Sequence, residues 1–418
     1  MSYFAPITSY SDGWPGPVRF CFLSVHILPR FSEHRRVLKP RLFIMCTRSA
    51  QLLSQRTRTH HVAEKYRQDR DRIALAVVLG TGMVTVILEF QSAEIVGRER
   101  ASTGLLKVGD DMLSHVSTFL SWGKVKLKHE WKAPDGGSVT SCHISQCSTM
   151  ILTSSGSGKL HLWNAAIGEL IRTFEGHNEI VNNCRFFPDG KTAVSASDDE
   201  TLKVWDIASG NRVRTLTGST GIVTCVDVSP DNKRILSGSR GKTWKIWSSG
   251  TGKLLHTGLM YQRPGFSFCC SFSPDGTLLI VGCDKKLRLH DAHTYKLQHI
   301  LIGHSQLTRS CSFHPDGNTI VSGSNDKTMK IWSTATGQCL HTIDGHSRCV
   351  RSCSFSPDGN AIYSASHDGR IMMWTVATGI REGIIDADTN SPWSMCASPD
   401  GKYIVSGHSE GAIKTWQR

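Results

Sequence analysis

Three sets of His, Ser and Asp recur along the chain with one spacing: His177, Ser195 and Asp199; His304, Ser322 and Asp326; His346, Ser364 and Asp368. These side chains are the parts of nucleophilic acyl transfer, where a base activates a hydroxyl and a carboxylate orients the base. Cys142, His143 and Cys147 are of types that ligate metals. Gly80-Thr81-Gly82 has the look of a phosphate-cradling loop. The last two readings weaken at once. Neighbours on a strand point to opposite faces, which separates Cys142 from His143. The glycine loop has Thr85 where a dinucleotide fingerprint needs its third Gly, and it lacks the Lys of a triphosphate loop. What the His, Ser and Asp sets can do depends on the elements that hold them.

Those elements repeat. Trp163, Trp205, Trp247, His290, Trp332, Trp374 and Trp416 fall 42 or 43 residues apart. A fixed period of that length means one supersecondary unit copied in tandem. The clearest copy runs from Gly303 to Trp332 and predicts strands over Leu307 to Phe313, Asn318 to Gly323 and Thr328 to Trp332, with a fourth from Gln338 to Ile343. His314-Pro315-Asp316-Gly317 makes a tight turn, because Pro presets φ, Asp bonds its own backbone and Gly accepts positive φ. The turn returns at Pro188, Pro230, Pro274, Pro357 and Pro399; only the first unit lacks it, with Gln146-Cys147-Ser148 instead.

The units resemble the WD-repeat family. The resemblance rests on Gly176-His177, Gly303-His304 and Gly345-His346, on Asp199, Asp284, Asp326 and Asp368 six residues before the Trp position, and on the closing aromatic. It covers residues 123–418 and implies an all-β fold: a seven-bladed propeller of four-stranded blades, with units near 132–173, 174–215, 216–258, 259–300, 301–342, 343–384 and 385–418. It further implies a structural tetrad in three blades: His177, Ser195, Asp199 and Trp205; His304, Ser322, Asp326 and Trp332; His346, Ser364, Asp368 and Trp374. In the family the Asp accepts from the His, and His and Ser brace the Trp. Elsewhere the pattern lapses. The His position holds Asp135, Ser219, Arg263 and Asp388, and the Asp position holds Ser157, Gly241 and Glu410, so those blades are expected to be looser.

The last unit ends after its third strand, at Trp416-Gln417-Arg418. The alternating segment before unit one, within residues 123–131, has no blade of its own. Closure removes unpaired edges, so this segment is expected to complete blade seven.

The chain of 418 residues carries a formal net charge of +13, spread over both the first 122 residues and the remainder. That permits acidic partners without identifying nucleic acid. Of the 14 cysteines, Cys142, Cys184, Cys270, Cys311 and Cys353 share one strand position, on the same face as Phe186, Phe272, Phe313 and Phe355. They read as small buried core residues, reduced, in a cytosolic or nuclear compartment. Residues 1–122 lack the repeat and form a basic extension broken by Pro29 and Pro40. Thr59 to Arg72 reads as a short helix or linker. The uncharged run Ile73 to Leu88 is shorter than the roughly 20 residues a spanning helix needs, and reads as two strands about a Gly turn. The extension is a poor signal peptide; its Arg-rich composition has a faint presequence character, and disorder is the plainer reading.

In the family, the residue five places after the His position commonly lines the channel mouth. Here that position holds Thr140, Asn182, Thr224, Phe268, Arg309, Arg351 and Trp393. Units four to seven thus present Phe, Arg, Arg and Trp, while units one to three present small polar groups. Asp198, Arg240, Asn325, His367 and Ser409 fall near the same rim. Arg supplies charge-assisted donors and aromatics supply rigid contact area. The expected function is a non-catalytic interaction scaffold, binding acidic or phosphorylated peptide segments at Phe268, Arg309, Arg351, Trp393, Arg240 and His367. The alternatives are a chromatin or nucleic-acid binder and, less supported, an enzyme using the channel. No cofactor, metal, membrane or small-molecule substrate is indicated.

Overall fold

The structure is a computed structural model that describes residues 125–241, 243–259, 267–387 and 391–417, together with four strands further upstream. The chain divides into two compact units, residues 1–115 and 116–418. In the first, Leu75–Gly80 and Met83–Leu88 pair antiparallel, and Phe22–Val25 and Ile44–Cys46 extend the sheet. The expected helix or linker at Thr59 to Arg72 lies outside the described residues.

The second unit is seven four-stranded antiparallel sheets. Blade five shows how the sequence builds one. Thr308–Phe313 runs away from the rim, the Pro315 turn reverses it, and Thr319–Ser324 returns. Gly317 at that turn has φ 76°, a conformation that favours Gly. Asn325 N–H then donates to Leu307 O at 2.9 Å, which puts the turn before the third strand at the same end as the start of the first. Met329–Ser333 and Cys339–Ile343 complete the sheet. Each blade therefore offers its Asp-position turn to one face of the ring and its Pro turn to the other.

The core lies between blades. Seven clusters of buried apolar side chains each draw on two neighbouring blades, as where Leu152, Leu160 and Leu162 of blade one meet Cys184, Phe186 and Trp205 of blade two. A blade cannot bury its apolar faces alone, so the ring is one cooperative body. The shared cysteines Cys142, Cys184, Cys270, Cys311 and Cys353 are buried in these seams as unpaired thiols.

Blade four lacks the Trp and has His290 there. The lost bulk is supplied from blade three, where Trp244 packs on His290 with ring centroids 4.8 Å apart. Trp244 fits because Gly258 stands opposite it in the ladder, where a Cβ would approach the indole to 2.0 Å.

Closure occurs through Lys126–Lys132, which pairs antiparallel with Ala412–Gln417 as the outer strand of blade seven. Its Trp131 packs on Trp163 of blade one at 5.9 Å, so this one strand joins the last blade to the first.

Candidate functional site

The three His, Ser and Asp sets lie inside their blades. In blade two, His177 Nδ1–H donates to Asp199 Oδ2 at 2.7 Å, Ser195 Oγ–H donates to His177 Nε2 at 2.7 Å, and Trp205 Nε1–H donates to Ser195 Oγ at 2.8 Å. Blade five repeats this with His304, Asp326, Ser322 and Trp332 at 2.9, 2.8 and 2.8 Å, and blade six with His346, Asp368, Ser364 and Trp374 at 2.8 Å throughout. Ser195, Ser322 and Ser364 are each 0% exposed. A hydroxyl sealed between a histidine and an indole cannot meet a substrate. Ser322→Ala should lower stability by about 2–4 kcal/mol in urea denaturation, because it strands His304 Nε2 and Trp332 Nε1 without partners in the core.

Burial holds His177 near a pKa of about 4, outweighing the pull of Asp199 in the other direction. Asp199 is lowered to about 2: burial would raise it, but the hydrogen bonds from Thr201 and His177 prevail. The unfolded chain therefore binds more protons than the native one between roughly pH 6.5 and 4 at His177, and between about 3.8 and 2 at Asp199. Stability should be full above pH 6.5, decline as pH falls toward 4, and collapse below it. Denaturation midpoints at pH 7, 5.5 and 4.5 check this.

Two of the four blades without a full tetrad carry substitutes. In blade one, Asp135 takes the His position and accepts from Ser157 Oγ and, at 3.1 Å, from His161 Nε2, while Trp163 Nε1–H donates to Thr153 Oγ1 at 2.9 Å. In blade seven, His408 from the second strand meets Ser406 Oγ at 2.9 Å, and Trp416 Nε1–H donates to the same oxygen at 3.0 Å. Blades one and seven thus each keep a hydrogen-bonded Trp and an imidazole supplied from another strand.

At the rim six of the seven equivalent positions divide between two tasks. On blades one and two they staple neighbours. Thr140 Oγ1 donates to Val181 O, and Asn182 Nδ2 donates to Val223 O at 2.9 Å and to Asp198 Oδ1 at 2.6 Å. Thr224 donates to Gly238 O within its own blade, at 3.2 Å. On blades four to seven the residues assemble as stacked pairs. The Arg309 guanidinium lies 4.2 Å from the centroid of Phe268, with Arg240 5.9 Å from the same ring, and Arg351 lies 5.1 Å from Trp393. Arg309 Nε–H donates to Asn325 Oδ1 at 2.9 Å, fixing the fork. Phe268, Arg309, Arg351 and Trp393 are half-buried and Arg240 is exposed.

The arc is electrostatically one-signed. Among the described residues neither Arg309 nor Arg351 has a carboxylate partner. Burial lowers both guanidinium pKa values, helped at Arg351 by the charge on Arg309 and at Arg309 by that on Arg240. His367 stands beside them: burial and the charges of Arg351, Arg309 and Arg348 hold it near a pKa of about 4, so it is neutral at pH 7. Its Nε2 is buried and has no hydrogen-bond partner among the described residues. Ser409 takes no part, its N–H facing Ser391 O at 3.4 Å.

At the other end of the channel a cavity of about 530 Å³ is lined by first-strand residues of every blade, including His143, Arg185, Asp227, Ser312 and Ser354. The charged members sit on blades one to three. His143 Nδ1 accepts from Phe186 N–H at 3.1 Å, Asp227 Oδ2 accepts from Phe272 N–H at 2.8 Å, and Arg185 Nε lies 3.8 Å from Asp227 Oδ1. Burial raises Asp227, against the pull of Arg185, and burial with the Arg185 charge pushes His143 well down. Two of the three are bonded to the backbone of the next blade, so their arrangement serves ring assembly. The parity that hid the cysteines turns these neighbours toward the channel, and the same rule applied one residue on identifies them. Cys142 meanwhile faces Cys396 across the seam, Sγ to Sγ 3.9 Å, far from any role beside His143 in a metal site.

The repeats match the family of the WD domain, G-beta repeat, over residues 125–164, 168–206, 210–248, 264–291, 295–333, 337–375 and 381–417. These segments make up more than half of the chain, which therefore belongs to the WD40 family. Among characterised proteins it is similar to the guanine nucleotide-binding protein subunit beta-5b of Danio rerio, 34% identical over 201 residues, 47% of this chain and 50% of that one. It is also similar to the nuclear distribution protein PAC1-2 of Uncinocarpus reesii, 30% identical over 189 residues, 45% of this chain and 36% of that one. A shorter match, 45% identical over 53 residues, links it to the human proteasomal ATPase-associated factor 1, covering 13% and 14% of the two chains. The chain thus spans half or less of the length of these relatives.

Proposed function

We propose that the protein is a non-catalytic scaffold that docks acidic segments of partner proteins on the Phe268, Arg309, Arg351 and Trp393 arc. The observation that carries the reading is the pairing of adjacent, half-buried guanidinium groups with aromatic rings and with no carboxylate partner among the described residues. Seven blades of one design differ here, and the equivalent positions of blades one and two are occupied with stapling. The names of the relatives, a G-protein subunit and a proteasome-associated factor, are compatible with protein partners. Against catalysis stand the sealed tetrad hydroxyls. The buried thiols fit a reducing compartment, cytosol or nucleus.

Crosslinking tests which face binds. Lys285 and Lys327 are exposed on the turns at the rim, whereas Lys191, Lys233 and Lys402 are exposed beside the Pro turns of the opposite face. Partners captured from nuclease-treated extract should crosslink to Lys285 and Lys327. Crosslinks confined to Lys191, Lys233 and Lys402 would place docking elsewhere, and loss of capture on nuclease treatment would favour a nucleic-acid binder.

A further inference from the structure

We propose that the group recognised at this arc is a phosphomonoester on the partner segment, held by the outer N–H groups of Arg309 and Arg351 and by Nε2 of His367. This deepens the docking reading and rests on it. Three observations narrow the ligand from an acidic segment in general to a phosphoryl group.

The first is what the aromatic rings already hold. An open aromatic pair at a channel mouth suits a quaternary ammonium or a stacked nucleobase. Here Phe268 already carries the guanidinium groups of Arg309 and Arg240, and Trp393 carries that of Arg351. The cation that each ring would attract is supplied by the protein. The rings act instead as platforms that fix two forks, so the arc addresses an anion.

The second is the charge to be balanced. Arg309 and Arg351 raise each other's electrostatic energy across adjacent blades. A carboxylate brings one negative charge and two oxygens. A phosphomonoester brings close to two charges and three equatorial oxygens, enough to balance both forks at once. A phosphodiester brings one, and its polymer would run on toward blade two, where Asp198 stands at the rim.

The third is the leftover donor. Arg309 Nε–H is committed to Asn325, so its outer N–H groups are the ones left for a ligand. His367 Nε2 is buried with no partner among the described residues, beside both arginines. Two forks and one imidazole N–H match the three oxygens of a phosphate.

The test uses the full chain. Peptide libraries with a central phosphoserine, Glu or Ser in randomised flanks are compared for binding, with a single-stranded oligonucleotide alongside. Inorganic phosphate at fixed ionic strength is the second probe. The phosphoserine library should bind about tenfold or more above the Glu library. Arg309→Gln with Arg351→Gln should abolish that binding. His367→Ala should weaken it about tenfold, and His367→Asn, which keeps a donor, should recover part. Phosphate should raise the melting temperature of the wild type but not of the double variant. Equal, Arg-dependent binding of Glu and phosphoserine libraries overturns the phosphoryl assignment while leaving the docking reading intact. Binding and phosphate protection unaffected by the Arg variants overturn both. Stronger, Arg-dependent retention of the oligonucleotide overturns the choice of a protein segment.

Discussion

Excising residues 123–132 from the full chain should abolish the cooperative unfolding transition of the propeller. Lys126–Lys132 is remote in sequence from the strand it pairs with, yet it completes the sheet of blade seven. Without it the Ala412–Gln417 strand becomes an open edge, and the seam that buries Trp131 against Trp163, Val405 and Ile413 loses its cover. The other six blades keep their own strands, but each blade is held by its neighbours, and a ring with one open seam has no barrier to further opening. The cost is of the order of the whole stability of a domain, about 5–15 kcal/mol. Circular dichroism with a melting curve checks this. An unchanged midpoint would mean that closure does not depend on this strand.

Reversing both central charges, with Arg309→Glu and Arg351→Glu, should remove partner capture while shifting the melting temperature by no more than about 2 °C. The loss in binding follows from exchanging two charge-assisted donors for two acceptors that repel an acidic segment, an effect of about 100-fold or more. The small change in stability follows from compensation. The variants lose the stacking on Phe268 and Trp393 and the bond to Asn325, and they also end the repulsion among Arg240, Arg309 and Arg351.

Much of this molecule is legible in its sequence because the repeat supplies seven readings of each position. Strand and turn boundaries in blade five fall within a residue of those predicted from Pro315-Asp316-Gly317 and Trp332. The cysteine positions are legible through strand parity. What escapes is substitution between strands. His161 stands on the third strand of blade one and His408 on the second of blade seven, and each supplies an imidazole that the repeat places elsewhere. A column-by-column reading cannot see one position compensating for another. The exchange of bulk between Trp244 and His290 escapes for the same reason, since it crosses a seam between blades. At the rim, sequence gives the residue types, but the stacking of Arg309 on Phe268 and the partnerless Nε2 of His367 emerge only in three dimensions.

Docking of an acidic partner segment on the arc is tested by the affinity of the purified segment that crosslinks to Lys327, measured by calorimetry against wild type and against the Arg309→Glu, Arg351→Glu protein, with melting curves for both. The arc predicts a loss of about 100-fold or more at an unchanged melting temperature. Equal affinities for the two folded proteins would contradict it.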